Sequence, residues 1–217
     1  MSDTFPKWTN RLPRNIIVGA LLVSAGVVAG MTYYFTPKYT RVGYEPIQPV
    51  AFPHSVHVEQ LGLDCRYCHN TVEKSWYSNI PATSTCMNCH AQVLKDDARL
   101  ALVRQSAATG EPIPWVQVHR LPDYVYFNHS AHVNRGISCV ECHGQINEME
   151  EVAHAKPLSM SFCLDCHRDP ARRVRPLAEI THLDWKPESE AKQEEDGQKM
   201  VRDLHIQSLE NCSTCHR

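Results

Sequence analysis

The sequence predicts a mostly helical protein with long irregular loops, one N-terminal transmembrane helix, and an interior that its own side chains do not fill. Three observations predict this. A long uncharged run lies near the N-terminus, the remainder is poor in apolar residues, and the chain concentrates 10 Cys and 13 His among 217 residues. Hydrophobic residues make up 42% of the chain, but much of that share sits in the N-terminal run. The remaining ~180 residues must therefore build a domain with little apolar material of their own. The 22 basic and 24 acidic residues nearly cancel. With no basic excess to neutralise phosphates, nucleic acid is not the expected partner.

Residues 1–14 read as a cytoplasmic N-terminus and 15–36 as the membrane anchor. Asn15 to Phe35 carry no charge, and these 21 residues make about 31 Å of helix, the thickness of a bilayer hydrocarbon core. Lys7, Arg11 and Arg14 precede the run, and Tyr33, Tyr34 and Phe35 close it like an interfacial aromatic belt. The positive flank holds the N-terminal side in the cytoplasm and sends the rest across; Lys38 and Arg41 make the asymmetry modest. A cleaved signal peptide ending near Val27, Val28 and Ala29 is the alternative. Its usual apolar core of about 7–15 residues is shorter than this run, so an uncleaved anchor is expected.

Residues 37–51 contain Pro37, Pro46 and Pro49 and read as an extended linker. Asp96 to Ala108 is the best helix candidate in the remainder, stopped by Gly110 and Pro112. Lys186 to Lys199 is charged, has no apolar stripe, and reads as a solvated linker or lid. Between these, FPHSVHVEQLGLDCRYCH (Phe52 to His69) aligns with FNHSAHVNRGISCVECH (Phe127 to His143), one residue shorter. Each copy is followed by a further C-x-x-C-H. Residues 52–185 thus read as two duplicated units of two clusters each, and 186–217 as a charged linker plus a fifth cluster.

All ten cysteines fall in five C-x-x-C pairs, each followed at once by His: Cys65/Cys68/His69, Cys86/Cys89/His90, Cys139/Cys142/His143, Cys163/Cys166/His167 and Cys212/Cys215/His216. This is the attachment motif of c-type haem. One helical turn brings both thiols to one edge of the porphyrin, where they add to the vinyl groups, and the adjacent His ligates the iron. Zinc is the strongest competitor, because 17 and 20 residues separate the pairs within the two units. Zinc would leave the fifth pair without a partner and every following His accidental; a disulfide framework fails on the same count. Five covalently attached haems spread over residues 43–217 give about 35 residues per cofactor. The haems are then the core, and stepwise electron transfer between close rings is the expected output. The expected fold class is a multihaem cytochrome c.

Eight histidines lie outside the motifs. His54 and His57 precede the first site in F-x-H-x-x-H, and His129 and His132 repeat the pattern before the third, so all four are candidate second axial ligands. His119, among Pro112, Pro114 and Pro122 and near Trp115, is the candidate for a fifth. Met149 and Met160 are thioether alternatives that would raise the potential of their haem, unless they merely pack on a porphyrin face. His154, His182 and His205 read as surface residues or propionate partners, and Arg168, Arg172, Arg173 and Arg175 as propionate partners or solvated side chains. The arrangement resembles class III multihaem cytochromes c. That resemblance implies that His54 caps the haem on His69 and His129 the haem on His143, while His57 and His132 reach neighbouring rings.

The order of segments is more specific still. One anchor, FPHSVHVEQLGLDCRYCHNTVEKS, IPATSTCMNCH, GEPIPWVQVHRLPDYVYFNHSAHVNRGISCVECHG, PLSMSFCLDCHR and a terminal CSTCHR together resemble the pentahaem cytochrome c subunit of alternative complex III. The resemblance spans nearly the whole chain and is weakest over Lys186 to Lys199. It implies a bacterial inner-membrane complex that oxidises quinol. The implied partners are an iron–sulfur subunit, integral membrane quinol-site subunits and a monohaem cytochrome c. The expected role is an electron-transfer subunit without substrate chemistry of its own. A stand-alone tetrahaem-type quinol dehydrogenase is the alternative, but such proteins carry C-x-x-C-H-x-M soon after the helix, and no Met stands two residues past His69. A catalytic multihaem reductase needs an open iron position, which no C-x-x-C-K variant and no shortage of His suggests.

Overall fold

The computed structural model describes residues 5–36 and 40–216, so Pro37 and Lys38 of the expected linker lie outside the described residues. The chain divides into two compact units, one ending at Val42 and the other starting at Gly43. The first holds a 3-10 turn, Lys7–Arg11, that runs into helix α1, Leu12–Phe35. Pro13 sits in its first turn, where no amide donor is needed. It is the one described helix long and apolar enough to cross a membrane, with a mean hydropathy of 2.0 over its best window.

The second unit is helical but built of short pieces. After a π-helical turn, Ser55–Gln60, come α2 (Cys65–Cys68), α3 (Thr83–His90), α4 (Ala101–Thr109), α5 (His129–Val133), α6 (Cys139–His143), α7 (Met160–Arg168), α8 (Glu190–Asp203) and α9 (Cys212–Cys215). Among the described residues there is no strand, only the isolated antiparallel bridges Val125–His216 and Ile137–Val174. Single-turn helices do not stand alone, and side-chain caps hold several of them: Asp64 accepts from the Arg66 amide (2.8 Å) and Asn211 from the Thr214 amide (3.0 Å). The helix expected over Asp96 to Ala108 forms as a 3-10 turn, Ala98–Leu100, followed by α4, and Gly110 ends it in the left-handed conformation at φ 77°.

Side chains alone supply a small interior. Val50, Val103 and Ile113 form one buried cluster, flanked by Cys86, Met87, Leu100, Leu102 and Trp115. Val174, Ala171, Ile180 and Leu183 are buried elsewhere in the unit.

The charged stretch read as a linker or lid is instead largely helix. Ser189 caps α8 by accepting from the Lys192 amide at 3.1 Å, and Lys192 pairs with Glu195 and Asp196 at 3.2 and 3.0 Å along one exposed face. The helix packs on the turn Pro170–Arg172 through polar contacts: Gln193 Nε2 donates to the carbonyls of Ala171 and Val174, both at 2.8 Å. Gly197 lets the backbones meet, since a Cβ there would collide with the Ala171 carbonyl. Gly197→Ala is accordingly expected to destabilise the protein by about 2 kcal/mol in thermal or denaturant unfolding. A free helix would instead gain up to ~1 kcal/mol from the substitution, so the sign reports whether α8 is docked.

Candidate functional site

Each C-x-x-C lies in a helical turn, which sets its two thiols on one side, three residues apart. None of the ten cysteines is paired in a disulfide. Among the described residues, no three side chains of His, Cys, Asp or Glu converge as a zinc site would require.

The sequence duplication is repeated in the geometry. Phe52 stacks on His57 at 4.3 Å between ring centres, and Phe127 on His132 at 4.6 Å. The same phenylalanines meet His54 and His129 edge-on at 5.0 and 4.8 Å. His57 Nδ1 donates to the Pro53 carbonyl at 2.9 Å and His132 Nδ1 to the Asn128 carbonyl at 2.8 Å, each four residues back. A carbonyl can only accept, so the proton sits on Nδ1 and Nε2 is left as the ligating nitrogen. Two of the motif histidines follow the same rule: His69 Nδ1 donates to the Asn79 carbonyl (2.6 Å) and His90 Nδ1 to the Val93 carbonyl (3.0 Å).

In both units the second His of the pair then faces the motif His of the following site. His57 and His90 have ring centres 6.2 Å apart, and so do His132 and His167. Two metal–nitrogen bonds of about 2 Å, with ~1.2 Å from each nitrogen to its ring centre, give roughly 6.4 Å for two imidazoles on one iron. The donor set therefore fits a bis-His haem at these two positions.

The first and third sites share a cluster of imidazoles. Burial pulls the His54 and His119 side chains down to about 4 and His143 to about 3. All three are thus neutral near pH 7, the protonation state that binds iron. His54 lies near His69 and His57, and His129 near His69 and His143. His129 Nδ1 donates to the Trp76 carbonyl at 2.9 Å. His119 sits with its Nε2 3.3 Å from His143 Nδ1 and its ring 5.1 Å from that of His154. His154, expected at the surface or as a propionate partner, is not at the surface, being only 3% exposed. Its backbone explains why: the His154 amide donates to the Tyr44 carbonyl and its carbonyl accepts from Gly43, both at 2.9 Å, which draws the residue under the incoming chain. No spacing in the sequence marks this lone His. Met149 Sδ accepts from the Ala153 amide at 3.5 Å, close to Gly144 at the end of α6, whereas Met160 is exposed.

At the fifth site the ring against His216 is Tyr124, stacked at 5.8 Å, and the Tyr126 amide donates to the Cys215 carbonyl at 2.7 Å. Most of the other groups read as surface residues or propionate partners pair with carboxylates of the chain. His182 meets Glu179 at 2.7 Å, Arg168 meets Glu210 at 3.1 Å, and Arg172 meets Asp169 at 2.8 Å. Arg173 and Arg175 both reach Glu141, inside the third motif, at 3.3 Å. Arg175 is buried, also donates to the His182 carbonyl at 3.2 Å, and lies 5.1 Å from the Trp185 ring centre. Arg175→Met leaves Glu141 short of its buried partner and is expected to cost about 3 kcal/mol of stability. Arg173 is half exposed, and Arg173→Met should cost no more than ~1 kcal/mol. Equal losses in denaturant unfolding would show that burial does not separate the two pairs.

Paired imidazoles at iron-binding spacing, each opposite a His that follows a C-x-x-C turn, define a multihaem c-type cytochrome. The comparisons give the family: the model for cytochrome c7 and related cytochrome c matches residues 50–108 and 125–217, and the chain belongs to that family. It is 34% identical over 154 residues to the multiheme cytochrome c subunit of menaquinone reductase from Nitratidesulfovibrio vulgaris, covering 70% of this chain and 67% of that one. It is 29% identical over 111 residues to the acrylate reductase cytochrome subunit of Shewanella woodyi, covering 51% of this chain and 68% of that one. Multihaem electron transfer is thus the chemistry of the chain.

Proposed function

We propose that this protein is a membrane-anchored cytochrome subunit carrying five covalent c-type haems, relaying electrons inside a quinol-oxidising complex. The observation that carries the reading is the repeated His57–His90 and His132–His167 spacing of 6.2 Å, together with five C-x-x-C-H turns. Bound at these turns, haem supplies reversible one-electron chemistry at iron. The chain supplies the rest. Cys65, Cys68, Cys86, Cys89, Cys139, Cys142, Cys163, Cys166, Cys212 and Cys215 anchor the rings, and His69, His90, His143, His167 and His216 hold the irons from one side. His57 and His132 close the second side of two sites, and His54 and His129 serve the first and third.

His119 and Met149 lie beside the third motif, where they would compete with His129 for the iron, while the ring beside His216 at the fifth site is Tyr124. At the sites where two histidines would hold the iron no position would be left for a substrate, so these sites would move electrons without transforming a molecule. Helix α1 holds the N-terminal side in the cytoplasm and puts the haem unit on the outer face of the inner membrane. The partners in this reading are an iron–sulfur subunit, integral quinol-site subunits and a monohaem cytochrome c.

The test is the intact mass of the purified full-length protein and the pyridine haemochrome ratio, both expected to give five haems per chain, with haem staining that survives a denaturing gel. Bound zinc with fewer haems would overturn the reading. Purification in mild detergent should bring down the partner subunits. A lone multihaem protein would point to the stand-alone dehydrogenase instead. The name of the Nitratidesulfovibrio relative favours a second reading, in which electrons run toward the quinone. Reduction of a menaquinone analogue by the dithionite-reduced complex, faster than its oxidation of the quinol form, would select that direction.

A further inference from the structure

The order of the sites in space differs from their order in the chain. Sites one and two are neighbours: Asn88, inside the second motif, donates to the hydroxyl of Tyr67, inside the first, at 3.0 Å. Cys68 and Cys86 are close enough to interact electrostatically. Sites one and three are neighbours as well. Asp64, which caps the first motif, accepts from Thr181 at 3.1 Å, and Ser138, which precedes the third, donates to the adjacent Ile180 carbonyl at 2.6 Å. The Cys65 and Cys139 side chains are also close to each other. The loop after site one also pairs with the segment before site three, through Asn134 to the Glu73 carbonyl at 2.9 Å.

Sites three and four are joined by Glu141 of the third motif, held by Arg173 just beyond the fourth, and Cys142 interacts with Cys163 and Cys166. Sites four and five are joined by Ser208, which donates to the His167 carbonyl at 2.8 Å, and by the Arg168–Glu210 pair at 3.1 Å. Cys163 of site four interacts with Cys215 of site five. These contacts form a line, and its two ends have a common property: Cys89 of site two and Cys212 of site five are the exposed cysteines, while the other eight are partly covered.

We propose that the five haem sites are arranged in the spatial order second, first, third, fourth, fifth, so that the second and fifth sites are the two electron ports. The duplication explains the topology. The two units meet through their first sites, one and three, and their second sites, two and four, point outward; the C-terminal motif then extends the fourth. An electron entering at Cys89's ring must cross the junction between the units before it reaches the C-terminal ring. The two partners of the relay therefore dock at opposite ends of the site line, one near α3 and one near α9.

The inference rests on the five-haem reading, and the mass of the same preparation separates the two. Fewer than five haems overturns that reading; five haems leave the order to be tested alone. The experiment is an NMR-followed redox titration of the full-length protein in detergent, with haem methyl signals assigned to each site. Electrostatic coupling between redox centres falls with distance, so the four largest pairwise interactions should be two–one, one–three, three–four and four–five. A double Cys212→Ser, Cys215→Ser variant should shift the midpoint of the fourth haem most. A double Cys86→Ser, Cys89→Ser variant should shift that of the first. If either variant fails to accumulate, the wild-type interactions decide. A strongest coupling between sites two and four, or a larger shift of the first haem than of the fourth on loss of the fifth, would overturn the order.

Discussion

In His132→Ala one haem per chain is expected to become high-spin and to bind carbon monoxide, with the other haems remaining low-spin. The imidazole is held by three features: its place on α5, the stacked Phe127 ring, and the hydrogen bond from Nδ1 to the Asn128 carbonyl. Together they hold its ring centre 6.2 Å from that of His167. Alanine supplies no ligand, and a five-coordinate iron changes spin state and opens a binding position. His57→Ala should behave identically at the haem on His90, because the same three features recur there. His182→Ala is the control, since His182 is exposed and paired with Glu179, and it should leave the spectrum unchanged. Electron paramagnetic resonance and carbon monoxide difference spectra read the outcome. A fully low-spin spectrum in His132→Ala would show that another group, with Met160 the first candidate, reaches that iron.

The attachment sites were legible because covalent haem chemistry demands contiguous residue types, so Cys139, Cys142 and His143 announce themselves without any knowledge of the fold. The repeated histidine pairs stood out for a different reason: duplication copied His54 and His57 along with their motif, and a surface His has no cause to recur at the same offset. What stayed hidden depends on tertiary contacts that leave no periodic trace. His154 is buried by two backbone hydrogen bonds to residues 43 and 44, more than a hundred positions away. Helix α8 lacks an apolar stripe, yet it docks through Gln193 and the bare backbone at Gly197, features that a hydropathy pattern cannot register. His119 illustrates the middle case. Its proline-rich setting made it a candidate ligand, and it is half-buried, while its place beside His143 emerged only from the fold.

Removing residues 1–42 and exporting the remainder behind a cleavable signal peptide should yield a water-soluble protein with the full complement of haems. The division of the chain falls between Val42 and Gly43, and every buried side chain of the described residues belongs to the second unit. Helix α1 contributes none, and its exposed Ile16, Leu21, Leu22, Val23 and Val28 instead form the kind of surface that lipid covers. The cut therefore removes the apolar surface that ties the full-length chain to detergent and leaves the haem-binding contacts intact. Absorption spectra, haem stoichiometry and midpoint potentials should match the full-length protein, and dithionite should reduce the fragment completely. Quinol should not reduce it at a useful rate, because in the proposed reading the quinol site belongs to the partner subunits and not to this chain. Aggregation or loss of haem would show that α1 belongs to the fold of the haem unit. Rapid reduction by quinol, sensitive to a quinone-site inhibitor, would place a quinol site on the haem unit itself and make the subunit an enzyme.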